Sequence, residues 1–445
     1  MNSQDQKTRI VILGGGFGGA YCARQLEKRL RATEADITLI NRTNFFVFTP
    51  LLVEAGTGAL EPRHAVVPLH RFLKRTRLLT TELKKIDLEQ QQVHAETFVG
   101  EQQQIGYDQL VIALGSVTRL PDVPGLREFG YGLKSLADAV ALRDRAVGML
   151  EAANETANPE LKKRLLTFVI VGGNYTGVEV AGEFNEFLHD STRLYRNISR
   201  EEIRIVLVEH EPRILHMLDE ELSQFASDHL QKRGVELRLG NTVNRISEDS
   251  AELKNGETIS TATVIWTAGV APNPLIAHSG LPCDKRGYIE CDPDLRVKGH
   301  TNLWAVGDTA SNPDPQGNAY PPTAQHAIRE GIEAAENIVR TLHGRPAEPL
   351  VYRSRGMMAP LGYHQGVARI MHWKLSGLPA WFVWRTFYLL KMPGFTRSIR
   401  VMMDWTLGWF FSRDYVQLGL HGTHRPSAGL SATSRESHEP NREPN

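Results

Sequence analysis

Residues 9–30 read RIVILGGGFGGAYCARQLEKRL, a short β-branched run followed by a glycine cluster and then by a segment of helical composition. A second β-branched run, ITLIN, ends at Asn41. The glycines at positions 14, 16 and 19 have the GxGxxG spacing and stand between the strand and the helix. Glycines at a helix N-terminus let backbone N–H groups approach a pyrophosphate closely. This stretch therefore predicts a dinucleotide-binding βαβ unit.

The same pattern occurs a second time in the chain. TFVIV at residues 167–171 leads into GGNYTG at 172–177 and the helical segment VEVAGEFNEFLHD, and the next strand, IRIVLVE, ends at Glu209. The segments YDQLVIALGS (107–116) and TATVIWTAGV (261–270) extend the internal similarity beyond the glycine loops. Two such units predict an α/β fold with two Rossmann-like domains, each for one dinucleotide.

The two units differ at two positions that matter for nucleotide binding. A carboxylate usually ends the second strand and bonds the ribose hydroxyls, and Glu209 supplies it in the second unit. A carboxylate there favours NADH because it repels the 2′-phosphate of NADPH. The first unit has the neutral Asn41 instead. In the second loop, Asn174 replaces the middle glycine, and we expect its side chain to crowd the pyrophosphate.

Composition excludes several other classes of protein. The 445 residues contain 51 Lys and Arg against 51 Asp and Glu, and this balance argues against a nucleic-acid partner. The N-terminal residues are polar, with no stretch typical of a signal or transit peptide, and we expect the chain to stay in the cytoplasm. No stretch of 18 residues is continuously apolar, so we expect no membrane-spanning helix.

The three cysteines, Cys22, Cys283 and Cys291, are scattered and form no CxxC pair. Disulfide reductases and NADH peroxidases need a reactive cysteine beside the flavin, so this pattern argues against both, and it counts against sulfide:quinone oxidoreductases. We interpret the cysteines as small buried residues. Because no His/Cys/Asp cluster has metal-ligand spacing, we expect no metal site.

The C-terminal part of the chain has a different character. Between residues 353 and 413 there are nine Lys and Arg and one acidic residue, and five of the seven tryptophans also lie there. Cations beside Trp and Phe are typical of a helix that lies at a membrane surface. On a helical wheel, Arg397, Arg400 and Asp404 share one stripe, and the opposite side is apolar. A dimer interface or a docked pair of terminal helices is the alternative.

Seven segments together resemble the type II NADH dehydrogenases, in this order: GGGFGGAYCARQL, FTPLLVEAGTGALEPRHAVVPL, YDQLVIALGS, VGGNYTGVEVAGE, VIWTAGV, LWAVGD and PPTAQHA. The similarity covers about residues 8–415. Members of this family are single-chain flavoproteins that oxidise NADH and reduce a membrane quinone without pumping protons. The resemblance implies FAD in the first unit, NADH in the second, and ubiquinone or menaquinone as acceptor. A homodimer is also the family expectation. The lack of a targeting signal and the basic, aromatic C-terminal part predict peripheral attachment to the cytoplasmic face of the cell membrane.

The resemblance and the composition together predict four parts of the chain. An FAD-binding domain would be discontinuous, comprising residues 8–125 and 295–345, with an NADH-binding domain at 126–294 between its two parts. A C-terminal amphipathic helical region for membrane association would span 346–420. Residues 421–445 are rich in Ser, Pro, Arg and Glu, and we predict a disordered tail there.

The resemblance also implies the site residues. It places FAD at a set of first-unit positions: Gly14, Gly16, Phe17, Gly19, Thr49, Gly115 and Asp308. Asn41 is added to this set as the strand-end residue expected at the ribose. The resemblance places the nicotinamide nucleotide at Gly172, Gly173, Gly177, Glu179 and Glu209. Gln325 corresponds to the glutamine of the quinone pocket, and Arg329 stands where the family usually repeats a Gln.

Hydride transfer from NADH to a flavin needs few catalytic side chains, because it depends mainly on holding the nicotinamide and the flavin next to each other. Quinone reduction also needs protons, and Glu179 is our candidate for the proton relay. A carboxylate stabilised by the N-terminus of its helix is the alternative for Glu179. Tyr175, His326 and Arg329 are second candidates.

Two other functions stay open at this point. A soluble reductase would pass electrons from NADH to oxygen or to a protein, without any need for residues 373–413. A flavoprotein in which Asn174 abolishes nucleotide binding would be a redox-silent scaffold. Reduction of the bound flavin by NADH separates the scaffold from both enzymes.

Overall fold

The computed structural model of the protein describes residues 7–354 and 356–419. These residues form two compact units. The first comprises residues 7–49, 66–117 and 270–354, and the second comprises residues 50–65, 118–269 and 356–419. The tail predicted at 421–445 lies outside the described residues. The predicted boundaries of the FAD, NADH and C-terminal domains stay predictions.

The strands in chain order are β1 (Thr8–Leu13), β2 (Ala35–Asn41), β3 (Phe45–Val47), β4 (Val66–Pro68), β5 (Arg77–Asp87), β6 (Gln92–Thr97), β7 (Gln102–Gly106), β8 (Gln109–Ile112), β9 (Ser116–Thr118), β10 (Gly130–Gly132), β11 (Thr167–Val171), β12 (Arg204–Glu209), β13 (Val235–Leu239), β14 (Val243–Ile246), β15 (Ser250–Leu253), β16 (Thr258–Ser260), β17 (Thr263–Trp266), β18 (Val270–Pro272), β19 (Ile289–Glu290), β20 (Leu303–Ala305), β21 (Ala310–Ser311), β22 (Gly356–Pro360), β23 (Gly366–Ile370) and β24 (Trp373–Gly377).

The helices are α1 (Phe17–Arg29), α2 (Leu52–Gly56), α3 (Leu69–Phe72), α4 (Leu126–Phe129), α5 (Leu136–Glu155), α6 (Pro159–Leu165), α7 (Tyr175–Ser191), α8 (Glu220–Lys232), α9 (Ala324–Leu342), α10 (Leu378–Lys391) and α11 (Phe395–Leu407).

The first unit is built on a seven-stranded sheet in the order β20-β8-β1-β2-β5-β6-β7. Strands β20, β8, β1, β2 and β5 pair in parallel, and the hairpin strands β6 and β7 add to the edge in antiparallel fashion. β-branched and aliphatic residues of the parallel strands are buried together with apolar residues of the segment 276–305. The β-branched runs at 9–13 and 37–41 are strands of this parallel part, and the segments 107–116 and 303–308 contain its strands β8 and β20.

The second unit is built on a five-stranded parallel sheet in the order β10-β17-β11-β12-β13. Strand β11 is buried along its whole length, which explains its continuous apolar sequence. A small antiparallel sheet, β14-β15-β16, shares the same hydrophobic core. Each glycine loop therefore belongs to its own parallel sheet, as the sequence repeat predicted. The strand order of both sheets is that of a doubly wound fold.

The C-terminal part is only half helical. Residues 356–377 form the antiparallel sheet β22-β23-β24, and the helices α10 and α11 follow it. The predicted terminal helices are therefore present, but the helical region begins at Leu378 rather than near residue 346. Trp373 lies on strand β24. The short alternation of GMMAP and GVARI gives a weak strand signal, which explains why the sheet was missed.

Candidate functional site

The first glycine loop joins β1 to α1 in the first unit. Gly14 has a positive φ of 95°, and a Cβ on Gly19 would lie only 1.9 Å from the carbonyl oxygen of Gly14. Gly16 is the N-cap of α1 and has no capping side chain, and no atom lies within 4 Å of the place where its Cβ would be. The first and last glycines therefore close the turn, and the middle one leaves the N-terminal amides of α1 open to an anion.

Asn41, at the end of β2, fixes this loop from the side. Its Oδ1 accepts the N–H of Gly15 at 2.8 Å, and its Nδ2 donates to the carbonyl oxygen of Thr43 at 2.7 Å. An amide is the side chain that can do both, because it carries an acceptor and a donor. Phe17, the first residue of α1, packs edge-on against the rings of Phe46 and Phe48.

The other predicted first-unit residues lie at the same edge of the sheet. Leu13, Ile112 and Ala305 are register partners at the carboxyl ends of β1, β8 and β20. Gly115 and Asp308 follow two of these strands, and Ser116 Oγ donates to Asp308 Oδ2 at 2.8 Å. In an open parallel sheet, ligands bind at this carboxyl edge. Thr49 is exposed at the start of a short 3-10 turn, Thr49–Leu51.

A cavity of about 260 Å³ adjoins Asp308 and reaches the first turns of α9. Glu330, in its wall, is almost completely buried and accepts the N–H of Gly307 at 2.6 Å and the amide of Asn312 at 2.9 Å. Burial raises the pKa of Glu330 to about 7. The sequence analysis missed Glu330, since a Glu in an amphipathic helix ordinarily faces water.

Gln325 and its neighbours occupy the start of α9. Gln325 Nε2 donates to Ser354 Oγ at 2.9 Å, and the hydroxyl of Tyr352 donates to Gln325 Oε1 at 3.1 Å. The ring of His326 packs between Tyr320 and Tyr352, and burial lowers the pKa of His326. The helix begins at Ala324, and Thr323 is its N-cap.

The guanidinium of Arg329 lies 5.5 Å from the ring centroid of Tyr352. Arg329 is thus one turn beyond Gln325 on α9, and both side chains contact the same tyrosine. An arginine over an aromatic ring keeps its donors available at the ring edge. The predicted candidates Gln325, His326 and Arg329 are therefore brought together around Tyr352, a residue that the sequence analysis did not name.

The second glycine loop has the backbone of the first. Gly172 has a positive φ of 110°, and a Cβ on Gly177 would lie 1.7 Å from the carbonyl oxygen of Gly172. Asn174 is the N-cap of α7: its Oδ1 accepts the N–H of Gly177 at 3.0 Å and its Nδ2 donates to the carbonyl of Thr267 at 2.8 Å. Both the oxygen and the nitrogen of the Asn174 side-chain amide are therefore hydrogen-bonded. The oxygen takes up the Gly177 N–H, which could otherwise donate to a phosphate oxygen.

Glu209 ends β12 in the place that Asn41 has in the first unit. It is buried and accepts the N–H of Gly173 through Oε2 and the N–H of Glu211 through Oε1 at 2.8 Å. His210 Nδ1 lies 2.6 Å from the same Oε1. Gly172, Gly173, Gly177 and Glu209 therefore meet at the carboxyl edge of the second sheet, next to the end of β17.

Glu179 lies on α7, one turn after the loop, among other ionisable groups of the second unit. It is deep in the protein yet keeps some accessible surface. Burial raises the pKa of Glu179 well above its ordinary value, and the charges of Glu183 and Glu54 raise it further. The hydroxyl of Tyr175 is buried and has no hydrogen-bond partner within residues 7–354 and 356–419. The sequence analysis named Glu179 and Tyr175 but missed Glu54 and Glu183.

The helices α10 and α11 expose much apolar surface. Large apolar side chains are exposed on them and on the segment that follows: Leu378, Phe382, Leu390, Phe395, Met402, Met403, Leu407, Trp409, Phe410 and Phe411. We call this set the C-terminal apolar face. None of the helices in residues 7–354 and 356–419 is both long enough and apolar enough to span a membrane.

Neither side of α11 is uniformly exposed. On the polar stripe, Arg400 is exposed, whereas Asp404 is partly buried and its Oδ2 lies 2.5 Å from His64 Nδ1. On the apolar side, Met402 and Met403 are exposed and Trp405 is buried. A helical wheel locates the stripes of a helix but does not tell which stripe finds a partner in the fold.

The cysteines lie apart from both glycine loops or inside the core. Cys22 and Cys291 are buried, which confirms the interpretation for these two. Cys283 is exposed, so the expectation of burial was wrong for it. Burial also raises the pKa of Cys22 and Cys291, and both thiols are protonated at neutral pH.

Comparison with known proteins is consistent with this arrangement. Residues 8–331 match the family model described as pyridine nucleotide-disulphide oxidoreductase, and residues 355–414 match the NDH2 C-terminal domain. The type II NADH:quinone oxidoreductase Ndh of Mycobacterium tuberculosis is 33% identical over 423 residues, which cover 92% of this chain and 89% of that protein. The chain belongs to the type II NADH:quinone oxidoreductase family.

Two further relatives of the family extend the comparison. Demethylphylloquinone reductase NdbB of Synechocystis is 32% identical, with 90% of this chain and 96% of that protein covered. The structure of NDH2 from Plasmodium falciparum in complex with NADH superimposes with a TM-score of 0.86 at 21% identity, covering 92% of this chain and 100% of that chain. At this identity the structural match establishes the fold, and the family resemblance stated from the sequence motifs is confirmed.

Proposed function

We propose that this member of the type II NADH:quinone oxidoreductases oxidises NADH in its second unit and reduces a membrane quinone by way of FAD held in its first. The observation that carries the proposal is the pair of glycine loops with one backbone geometry and two different strand-end residues, Asn41 and Glu209. FAD, when bound, supplies a two-electron acceptor that is reduced by hydride and reoxidised by the quinone.

The first unit fits FAD at its loop and at the adjoining strand ends. The space in front of Gly16 accommodates a pyrophosphate, and the N-terminal amides of α1 lie behind it. Asp308, held by Ser116, is the acidic group that would bind hydroxyls of the ribityl chain. Phe17, Thr49 and Gly115 complete the residues that we assign to FAD.

The second unit supplies what NADH needs. The N-terminus of α7 suits a pyrophosphate, and the carboxylate of Glu209 favours a free 2′-hydroxyl over a 2′-phosphate. For the quinone we assign Gln325, whose amide can donate to a carbonyl oxygen, and for the proton we assign Glu179, whose pKa is raised by burial.

The test is an anaerobic titration of the purified flavoprotein. NADH should bleach the flavin absorbance rapidly, NADPH should bleach it slowly, and a soluble quinone should restore it. Bleaching by neither nucleotide would support the redox-silent scaffold instead. Recovery with oxygen but not with quinone would support the soluble reductase.

We further propose that the C-terminal apolar face binds the cytoplasmic surface of the cell membrane. Exposed Phe, Trp and Met side chains next to Lys391 and Arg400 are suited to the boundary between acyl chains and anionic headgroups. The local surplus of positive charge in residues 353–413 supports the same interpretation. A homodimer stays a prediction, and burial of this face between two copies is the competing outcome.

Sedimentation with vesicles of phosphatidylglycerol and phosphatidylethanolamine tests this second proposal. The double variant Phe395→Glu with Phe410→Glu should lose most vesicle binding, because each change replaces an exposed aromatic ring by a charge. Phe98→Glu is the matched control, since Phe98 is fully exposed on the hairpin of the first unit. If the double variant binds vesicles normally and instead dissociates a dimer, the face is an interface between copies.

A further inference from the structure

Helix α7 carries a row of acidic residues that runs from the glycine loop to the other end of the helix. Glu179, Glu183, Glu186 and Asp190 are spaced by four, three and four residues, so they lie on one face. Glu183 is only 5% exposed, and Glu186 and Asp190 are partly exposed. The row therefore leads from a deep position next to the nucleotide loop toward water.

An arginine from the C-terminal part of the chain holds this row. Arg413 Nη2 lies 3.4 Å from Glu183 Oε2 and 3.0 Å from Glu186 Oε1, and thus bridges two successive members. The Arg413 Nη1 atom is buried and has no hydrogen-bond partner in the part of the chain that the structure describes. The backbone N–H of Tyr363 donates to the other oxygen of Glu186 at 2.6 Å.

A further buried carboxylate, Glu54, comes from α2. Glu54 is 3.5 Å from Arg385 and accepts a hydrogen bond from Trp405 Nε1 at 2.7 Å. Arg385 itself lies between the rings of Trp381 and Trp405, at 4.1 and 4.5 Å from their centroids. The Glu54 and Arg385 pair is thus enclosed by aromatic surface, where an unpaired charge is costly.

The number of charges in this cluster does not balance when every group is ionised. Glu54, Glu179, Glu183 and Glu186 would carry four negative charges against the two positive charges of Arg385 and Arg413. Two uncompensated charges in a largely buried cluster cost several kcal/mol, and protonation removes that cost. Burial, with the charges of Glu186 and Glu54, raises the pKa of Glu183, although Arg413 lowers it. The cluster therefore holds exchangeable protons near neutral pH.

Neutral titratable groups complete its surroundings. Tyr175 and Tyr388 face Glu179, and burial raises the pKa of both hydroxyls. His364 faces Glu186, Arg385 and Arg413, and burial lowers its pKa. Asp190, at the outer end, has a raised pKa because of burial and the charge of Glu186.

The reaction that we propose for the protein needs one proton from water. Quinone, NADH and one proton give quinol and NAD⁺: hydride carries two electrons and one proton, and the second proton of the quinol comes from solvent. We propose that Glu183 and Glu186 form the route by which this proton reaches Glu179, and that Arg413 is the positioning residue that holds the two carboxyls in line. This inference rests on the proposed function.

The transfers follow the row inward. When the proton of Glu179 leaves for the quinone oxygen, the Glu179 O–H bond breaks and the carboxylate takes the proton of Glu183. Glu183 is then reprotonated from water through Glu186. Successive members of the row are one helical turn apart, about 5–6 Å between Cβ atoms, a gap that the side chains and one water molecule span.

The experiment compares Glu183→Gln with wild type in the two half-reactions and by infrared spectroscopy. Gln keeps the size of the side chain and cannot release a proton. We expect the bleaching of the flavin by NADH to be unchanged, the reoxidation by a soluble quinone to slow by roughly tenfold or more, and its solvent isotope effect to rise. The infrared spectrum should lose the carbonyl band of one protonated carboxyl on titration through neutral pH.

Two further variants keep the test decisive. Glu186→Gln, at a partly exposed position, should show the same pattern in a weaker form if Glu183→Gln does not fold. Glu220→Gln, at an exposed position on α8, is the matched control and should match wild type in every readout. Normal quinone reoxidation and an unchanged isotope effect in both row variants would overturn the proposal. Failure of NADH to bleach the wild-type flavin would overturn the proposed function instead.

Discussion

The two glycine loops share a backbone but not a chemistry. In both, the first glycine has a positive φ and the last one packs against the carbonyl of the first. They differ at the helix N-cap, which is the bare Gly16 in one loop and the hydrogen-bonded Asn174 in the other. They differ again at the strand end, in Asn41 and Glu209. The outer glycines thus determine the path of the chain, and the nucleotide preference that we propose for each unit rests on the other two positions.

The largest effect should come from the last glycine of each loop. A Cβ at Gly19 or Gly177 would lie within 2 Å of a carbonyl oxygen, so Gly19→Ala and Gly177→Ala each force α1 or α7 away from its loop. We expect Gly19→Ala to lose bound flavin and Gly177→Ala to keep flavin but lose bleaching by NADH. The ratio of flavin to protein absorbance and the anaerobic titration measure this.

Gly148→Ala, inside α5, is the control, because its Cβ would meet only the mobile end of the Gln417 side chain. It should keep both flavin and NADH reactivity. Loss of flavin from Gly177→Ala with normal NADH reactivity of Gly19→Ala would invert the assignment of the two loops.

The two units also differ in how each accommodates a buried carboxyl. Glu330 has two neutral donors, whereas Glu183 has Arg413. Because the pKa of Glu330 is raised to about 7, its proton stays bound in the folded protein between about pH 4.5 and 7 while the unfolded chain releases it. The contribution of Glu330 to the free energy of unfolding therefore falls by on the order of 3 kcal/mol as the pH rises from about 4.5 to about 7.

Glu330→Gln should remove this dependence, since the amide oxygen can keep both hydrogen bonds and does not ionise. We expect the variant to gain thermal stability relative to wild type from pH 5 to 7 and to show a constant difference above that range. Thermal denaturation at a series of pH values is the measurement, with the exposed Glu89→Gln as control. Parallel curves for wild type and Glu330→Gln would show that the carboxyl is ionised throughout.

Intermediate effects should come from the strand ends. In Asn41→Asp, a carboxylate oxygen would replace the Nδ2 that donates to Thr43, and two acceptors would then face each other at 2.7 Å. The expected loss is about 1–3 kcal/mol of stability together with weaker flavin binding. In Glu209→Gln, an NH₂ would face one of the amides that the carboxylate now accepts from.

We expect Glu209→Gln to raise the KM for NADH by roughly tenfold and to narrow the preference over NADPH, since the repelling charge is gone. Steady-state kinetics with both nucleotides measures this, and Glu220→Gln again serves as the control. An unchanged ratio of kcat/KM for NADH and NADPH would mean that Glu209 only braces the loop.

The smallest effect should come from Asn174→Gly, which makes the second loop like the first. The loss of the cap and of the bond to Thr267 should cost about 1 kcal/mol of stability. The freed Gly177 N–H should bind NADH more tightly, by roughly three- to tenfold. Asn158→Gly, at the N-cap of α6, should have a similar stability cost without any change in NADH affinity. Weaker NADH binding in Asn174→Gly would show that the amide itself contacts the nucleotide.

The sequence predicted the glycine-loop units well and the C-terminal region poorly, for one physical reason. A β-branched run, a glycine turn and an amphipathic helix are short-range signals, so β1, α1, β11 and α7 lie where the motifs predicted them. The sheet of residues 356–377 has no comparable signal, because its strands are short and pair with one another over weak alternation. The buried side of α11 likewise depends on His64, far away in the sequence.

Local sequence was sufficient for the number of dinucleotide units, their backbone geometry and the choice between Asn41 and Glu209, because those features are contained within some 40 consecutive residues each. The carboxylate cluster of the second unit could not be predicted from local sequence. Glu54 contacts Arg385 and Trp405, and Glu183 contacts Arg413, across more than 200 positions of the chain. Whether a Glu is an ordinary surface carboxylate or a buried acid that holds its proton depends on desolvation and on neighbouring charges, and these exist only after the chain has folded.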